Sequence, residues 1–183
     1  MMMWQRIVRN LLGGPVTEAG PKPADEALAE LAARVDGAAR ALLGRSLAIR
    51  EVDAGSCNGC ELEVNALSGP HYDLERFGLR FVASPRHADV LLVTGPVTRN
   101  MRHALLRAYA ATPSPKWVVA AGDCAANCGV FAGAGGVVGR VADVIPVDLH
   151  IAGCPPSPRQ LLAGLVALLE TPGRSSAAGV ASK

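Results

Sequence analysis

Trp117-Val118-Val119-Ala120-Ala121-Gly122-Asp123-Cys124 is a run of five apolar residues that stops at a glycine, an acid and a cysteine. A strand that is apolar at every position must bury both faces, the signature of a parallel sheet covered by helices on either side. Val90–Thr94 repeats the pattern, and Leu47–Val52, Leu79–Ala83 and Val144–Ile151 read as further strands. Between them the period changes. From Asp25 to about Leu43, Leu28, Leu31, Ala32, Val35, Ala38, Ala39 and Leu42 recur at three- and four-residue spacing, which predicts an amphipathic helix with Asp25 as N-cap and Gly44 as its stop. Asn58–Leu67, Thr98–Ala111 and Pro158–Leu169 read as three more helices. Alternating apolar strands and amphipathic helices predict a three-layer α/β domain with a mostly parallel sheet.

That domain is expected over residues 25–170. Residues 13–24 are broken by Gly and Pro and read as a linker, so residues 1–24 form an N-terminal arm and linker. Residues 171–183 are rich in Gly, Ser and Ala and read as a disordered tail. The opening fourteen residues lack a long apolar stretch with a small-residue cleavage site and do not read as a secretory signal; an amphipathic docking arm and a frayed terminus both fit them.

Half of the 183 residues are hydrophobic but only 4% are aromatic, so the core must be built from Ala, Val and Leu. A net charge of +2 makes no case for a nucleic-acid partner, which calls for a marked basic face. The longest apolar stretches, such as Leu161–Leu169, fall far short of the ~20 residues of a spanning helix. There is no P-loop, Rossmann fingerprint or nucleophile elbow.

The five cysteines carry the chemistry. Without a secretion signal and with an odd count, they suggest reduced thiols kept for metal or catalysis rather than a disulfide frame. Cys57 and Cys60 form a Cys-x-x-Cys directly after the first strand. Cys124 follows the Trp117 strand, and Cys154 follows the last one. In parallel α/β sheets ligands bind beyond the carboxyl ends of the strands, and three strands deliver these four thiols to that end. Four thiolates suit an iron–sulfur cluster or a structural zinc, and a set of buried unmetallated cysteines is the third reading. Structural zinc usually shows two close pairs, and here there is one. The small residues around the cysteines (Gly59, Gly122, Gly129, Gly153) bring backbone amides near sulfur, which favours the bulkier cluster. Cys128, four residues after Cys124, is an alternative third ligand, a small buried hydrophobe or a redox-sensitive spare; Cys124 is preferred because it follows its strand most directly.

Several segments together resemble one family: Cys57-Asn58-Gly59-Cys60-Glu61, Ser84-Pro85-Arg86-His87-Ala88-Asp89-Val90-Leu91, Thr98 with Met101, Gly122-Asp123-Cys124, and Ile145-Pro146-Val147-Asp148 running on to Gly153-Cys154-Pro155-Pro156-Ser157-Pro158. The set is similar to the small subunit of group 4 membrane-bound [NiFe] hydrogenases of the formate hydrogenlyase type, and to the related 20 kDa iron–sulfur subunit of respiratory complex I. It spans about Leu47 to Glu170. Cys-x-x-Cys followed by Glu61, in place of an adjacent cysteine pair, is the hydrogenase-like form. The resemblance implies a flavodoxin-like fold and one [4Fe-4S] cluster held by Cys57, Cys60, Cys124 and Cys154 at the carboxyl ends of the strands. It implies electron transfer between a ferredoxin-like iron–sulfur subunit and a large [NiFe]-hydrogenase-like subunit, with no catalytic centre in this chain. It also implies integral membrane subunits as further partners and a peripheral, cytoplasmic place on the inner membrane. The alternatives are a cluster subunit of a complex I-related quinone oxidoreductase and a zinc-stabilised interaction module. One departure stands out: Cys128 occupies the first position of an expected glycine pair.

Glu61 is a candidate for proton handling or for orienting the large subunit, beside the plainer role of an acid favoured at a helix N-terminus. Arg86 and His87 read as a surface loop or a partner contact. His71, His103 and His150 show no ligand spacing and read as structural, and Asp53, Asp73, Glu75 and Asp89 form no paired-acid arrangement.

Overall fold

The structure, a computed structural model, describes residues 26–170. The expected arm and linker, the Asp25 cap and the C-terminal tail lie outside the described residues.

Five strands, β1 (Ala48–Asp53), β2 (Arg80–Phe81), β3 (Val90–Thr94), β4 (Trp117–Ala121) and β5 (Leu149–Ile151), form one sheet in the order β2-β1-β3-β4-β5. Every pairing is parallel. That order is the flavodoxin-like arrangement of doubly wound sheets. The helices are α1 (Glu26–Leu43), α2 (Gly59–Leu67), α3 (Arg99–Ala111), α4 (Asp123–Asn127) and α5 (Pro158–Glu170).

The all-apolar strands explain the layers. Val90 and Leu92 of β3, with Trp117, Val119 and Ala121 of β4, face a core completed by Val35 and Ala39 of α1, Val64 and Leu67 of α2, and Leu161 and Leu165 of α5. The intervening residues Leu91, Val93, Val118 and Ala120 face the opposite core, closed by Leu105 of α3 and Ala125 of α4. Each fully buried Val or Leu contributes roughly 1.5–3 kcal/mol, so both faces of the central strands stabilise the sheet. Helix α1 lies along α5, and an exposed bidentate pair joins Arg34 to Glu170 at 2.8 and 2.9 Å. Leu42, read as part of the apolar stripe of α1, is instead 55% exposed at the helix end.

Asp89 ties the edge of the sheet together. Its carboxylate accepts from the Ala48 amide at 2.9 Å and from both terminal nitrogens of Arg45. The motif acid is thus a buried structural anchor rather than a catalytic group.

Two strands are shorter than the sequence suggests. Only Leu149–Ile151 of the expected Val144–Ile151 is strand. Pro146 has no amide to donate, Val141–Asp143 winds into a 3-10 turn closed by Arg140 and Asp143, and the Val144 and Ile145 amides return to the Val141 carbonyl. Leu79–Ala83 contracts to Arg80–Phe81 at the sheet edge. A small antiparallel ribbon of Val97–Thr98 with Val137–Gly139, unforeseen from the sequence, packs against α3. No helix among the described residues is long and apolar enough to cross a membrane.

Candidate metal centre at the carboxyl ends of the strands

The loop after β1 is shaped by its own acid. Asp53 Oδ1 accepts from the Gly55 and Ser56 amides at 2.8 and 2.7 Å, and Ser56 Oγ accepts from Asn58 N at 3.0 Å. Asn58, with φ of 69°, then turns the chain into α2. This places Cys57 on the exposed rim and Cys60 in the buried first turn of the helix. Cys124 is buried in the first turn of α4, one residue beyond the turn that leaves β4, and Cys154 is exposed beyond β5. The loops carrying Cys124 and Cys154 are stitched by two reciprocal bonds: the Asp123 amide donates to the Gly153 carbonyl at 2.8 Å, and the Gly153 amide donates to Asp123 Oδ1 at 2.9 Å.

Cys57, Cys60, Cys124 and Cys154 line one cavity of about 60 Å³, with Asp123 and Gly95 among the remaining walls. Cys128 is not among the lining residues and is half-buried. The three strand ends therefore bring together the same four cysteines singled out by their positions in the chain.

Glycines clear the space around the sulfurs. A methyl group on Gly122, whose φ is +90°, would stand 2.7 Å from the Cys60 sulfur, and one on Gly129 would stand 2.6 Å from the Cys124 sulfur. The Val130 backbone amide hydrogen-bonds the Cys124 sulfur. Cys128 itself adopts the left-handed conformation, with φ of 67°. The departure from a glycine pair is thus a cysteine held in a glycine's backbone geometry, which costs a side-chain-bearing residue roughly 1–2 kcal/mol. Cys128→Gly relieves that strain but loosens the unfolded chain. A net gain of about 0.5–1 kcal/mol, near 2 °C in Tm, is expected in thermal denaturation, with metal content unchanged.

The electrostatics favour the protonated thiols. Burial first, then Glu61 and the other three cavity cysteines, push the Cys60 thiol up to about 12. Burial, followed by Cys154, also raises the Cys124 thiol. Thiolates are the metal-binding form, and positive charge at the cavity would offset the burial and mutual repulsion that disfavour them here. Among the described residues, no group of three or more His, Cys, Asp or Glu side chains is closed around a metal-ion position. The cavity is several times the 10–15 Å³ that one water-sized sphere occupies. A four-thiol wall around a space of that size, with an amide already at one sulfur, offers the donor set of a metal–thiolate centre, whether a cluster or a single ion.

The other predicted residues divide clearly. Glu61 is buried in the first turn of α2, beside Cys60. Arg86 and His87 are exposed in a 3-10 turn over Pro85–His87, away from the cavity walls. His150 Nε2 lies 3.2 Å from the Gly122 carbonyl, so this histidine braces the turn before Cys124. Sequence reading missed Asp123 as the stitch between two cysteine loops, although it stands directly before Cys124. It also missed Glu51.

Glu51 is a half-buried acid on β1 whose carboxyl is pushed up to about 7, mainly by burial, then by Glu61 and Asp53, against a weaker pull from Arg50. Its folded form therefore favours the proton. This contribution is complete below about pH 4.5 and is lost as pH rises through about 7. Screening at a half-exposed site reduces the effect to about 1–2 kcal/mol. Chemical denaturation of the full chain across that window should show stability falling for the wild type, and a flatter profile for Glu51→Gln.

Residues 57–168 match the family described as NADH ubiquinone oxidoreductase, 20 Kd subunit, and the chain belongs to that family. Among its relatives, the probable membrane-bound hydrogenase subunit mbhJ of Pyrococcus furiosus is 46% identical over 70% of this chain and 77% of its own length. Formate hydrogenlyase subunit 7 of Escherichia coli is 42% identical over 87% of this chain. The match spans 62% of that relative's length. A solved chain of the membrane-bound sulfane sulfur reductase, an archaeal respiratory membrane complex, superposes with a TM-score of 0.62 at 35% identity, covering 75% of this chain and 74% of the other. The relatives are thus subunits of membrane-bound oxidoreductase complexes.

Proposed function

We propose that this chain holds one [4Fe-4S] cluster through Cys57, Cys60, Cys124 and Cys154. In this reading it is the electron-transfer subunit between a ferredoxin-like subunit and the large subunit of a membrane-associated, hydrogenase-like complex. The observation that carries the reading is the single cavity walled by those four thiols. When bound, the cluster supplies reversible one-electron chemistry. The chain's part is to hold and insulate. Cys60 and Cys124 anchor the buried side, and the Val130 amide offsets charge on one sulfur. Cys57 and Cys154 stand at the exposed rim, where a partner subunit would approach. No residue of the chain performs bond-making chemistry in this scheme. The chain sits peripherally, on the cytoplasmic face of the inner membrane, through integral membrane subunits of its complex.

The test is metal and sulfide analysis of the chain expressed with iron and sulfide, with EPR after reduction. Iron and acid-labile sulfide in equal amounts are expected; zinc in place of iron rejects the cluster and favours the interaction-module alternative. The family description favours a second reading, a quinone-reducing complex related to complex I. Two Cys-x-x-Cys pairs in the cognate large subunit select the hydrogenase, and their absence selects the alternative.

A further inference from the structure

A larger cleft of about 530 Å³, lined by Glu61 where the cysteine cavity is lined by its neighbour Cys60, opens between β1, α2 and the residues around β2. Its walls include Glu51, Asp53, Glu61, Asn65, Ser68 and Phe81. Glu61 is only 8% exposed. Both of its carboxylate oxygens, and Oε1 of Glu51, are buried with no hydrogen-bond partner among the described residues. Arg50, the one cation on the walls, forms none of the ion pairs of the described residues.

Buried polar atoms in folded proteins are almost always hydrogen-bonded, and a buried carboxylate without donors is strongly unfavourable. Glu51 and Glu61 set three unsatisfied oxygens in the wall of a cleft whose third acid, Asp53, is already held by the Gly55 and Ser56 amides, and those oxygens call for a donor brought from outside the chain. The cleft also adjoins the surface where a partner is expected. Leu62, next to Glu61 on α2, is 61% exposed, and Cys57 lies on the exposed rim of the neighbouring cavity.

We propose that this cleft receives an arginine side chain of the large subunit, its guanidinium placed between Glu61 and Glu51 and its plane against Phe81. The proposal rests on the reading that a large subunit covers the cysteine loops. Arginine suits the site better than lysine. Its planar fork of five donors reaches several carboxylate oxygens at once, it is weakly hydrated and it keeps its charge when buried. It also stacks on an aromatic face. The contact makes the cleft a recognition socket: it neutralises acids beside Cys60 only when the correct partner is seated.

The test uses the full chain co-expressed with its cognate large subunit. Affinity and iron content are measured for the wild type, the isosteric double variant Glu51→Gln/Glu61→Gln, and Glu51→Arg. The double variant should bind the large subunit about 30-fold or more weakly. Its affinity should depend less on salt, while iron per chain is unchanged. Glu51→Arg, which supplies a guanidinium from within, should weaken binding comparably while raising the Tm of the chain alone. Wild-type affinity in either variant overturns the proposal, as does a wild-type Tm raised by millimolar magnesium or calcium, which would make the cleft a cation site. A wild-type chain that fails to bind the large subunit also overturns it. Loss of binding in the variants of a chain that contains no iron would keep the socket and reject the cluster, so the two failures are separable.

Discussion

Serine in place of Cys57 is expected to remove nearly all iron from the chain while leaving its fold intact. Cys57 is exposed, so the substitution disturbs little packing. An alcohol is a poor substitute for a thiolate as an iron–sulfur ligand. At Cys60 the same change should also empty the site, and in addition it buries a hydroxyl, which costs about 1–3 kcal/mol if unsatisfied, because Cys60 is only 9% exposed. The pair separates ligation from packing: both variants lose iron, but only Cys60→Ser should lose several degrees of Tm. Cys128→Ser is the control and should retain its iron. The measurement is iron per chain with circular dichroism melting on the same samples. If Cys128→Ser alone emptied the site, Cys124 would be the wrong third ligand.

Gly122→Ala is expected to be nearly as damaging although Gly122 supplies no ligand atom of its own. With φ of +90°, position 122 disfavours a side chain before any contact is considered. The added methyl would also stand 2.7 Å from the Cys60 sulfur. Either the turn leaving β4 or Cys60 must move, and both carry the cavity. We expect a loss of at least about 2 kcal/mol, roughly 4–8 °C in Tm, with less than half the wild-type iron retained. Gly135, where an added methyl meets nothing within 4 Å, supplies the comparison: Gly135→Ala should leave iron and Tm unchanged. Equal behaviour of the two variants would show that the cavity tolerates far more crowding than its geometry implies.

The contrast between those glycines shows which parts of the molecule its sequence discloses. Val90–Thr94 and Trp117–Ala121 are strands over the very residues expected, because five consecutive apolar residues have no solvent-facing alternative. The cysteines were legible for a related reason: strand ends fix where the following residues must lie. Features that depend on distant partners were not. The strand at Val144 fails because Pro146 and the Arg140–Asp143 turn claim the backbone first, and no period in the sequence announces that competition. Asp123 looked like one letter of a motif until Gly153 was found across from it. Glu51 stands in the strand as one more residue of its run; it gains its character mainly from burial and then from Glu61, ten positions along the chain in the first turn of α2.

The flavodoxin-like order, β2-β1-β3-β4-β5, also accounts for the economy of the site. Central strands β3 and β4 are buried on both faces, so they form a rigid platform. The residues immediately after β1, β4 and β5 inherit that rigidity without long connecting segments. Two of the cavity cysteines, Cys60 and Cys124, are buried, and two, Cys57 and Cys154, are exposed.

The most direct measurement is diffraction from the purified complex at the iron absorption edge. The account predicts a compact group of iron scatterers in the space walled by Cys57, Cys60, Cys124 and Cys154, each iron within bonding distance of one of these sulfurs. Iron bound elsewhere, a lone scatterer at the zinc edge, or four sulfurs with no metal between them would contradict it.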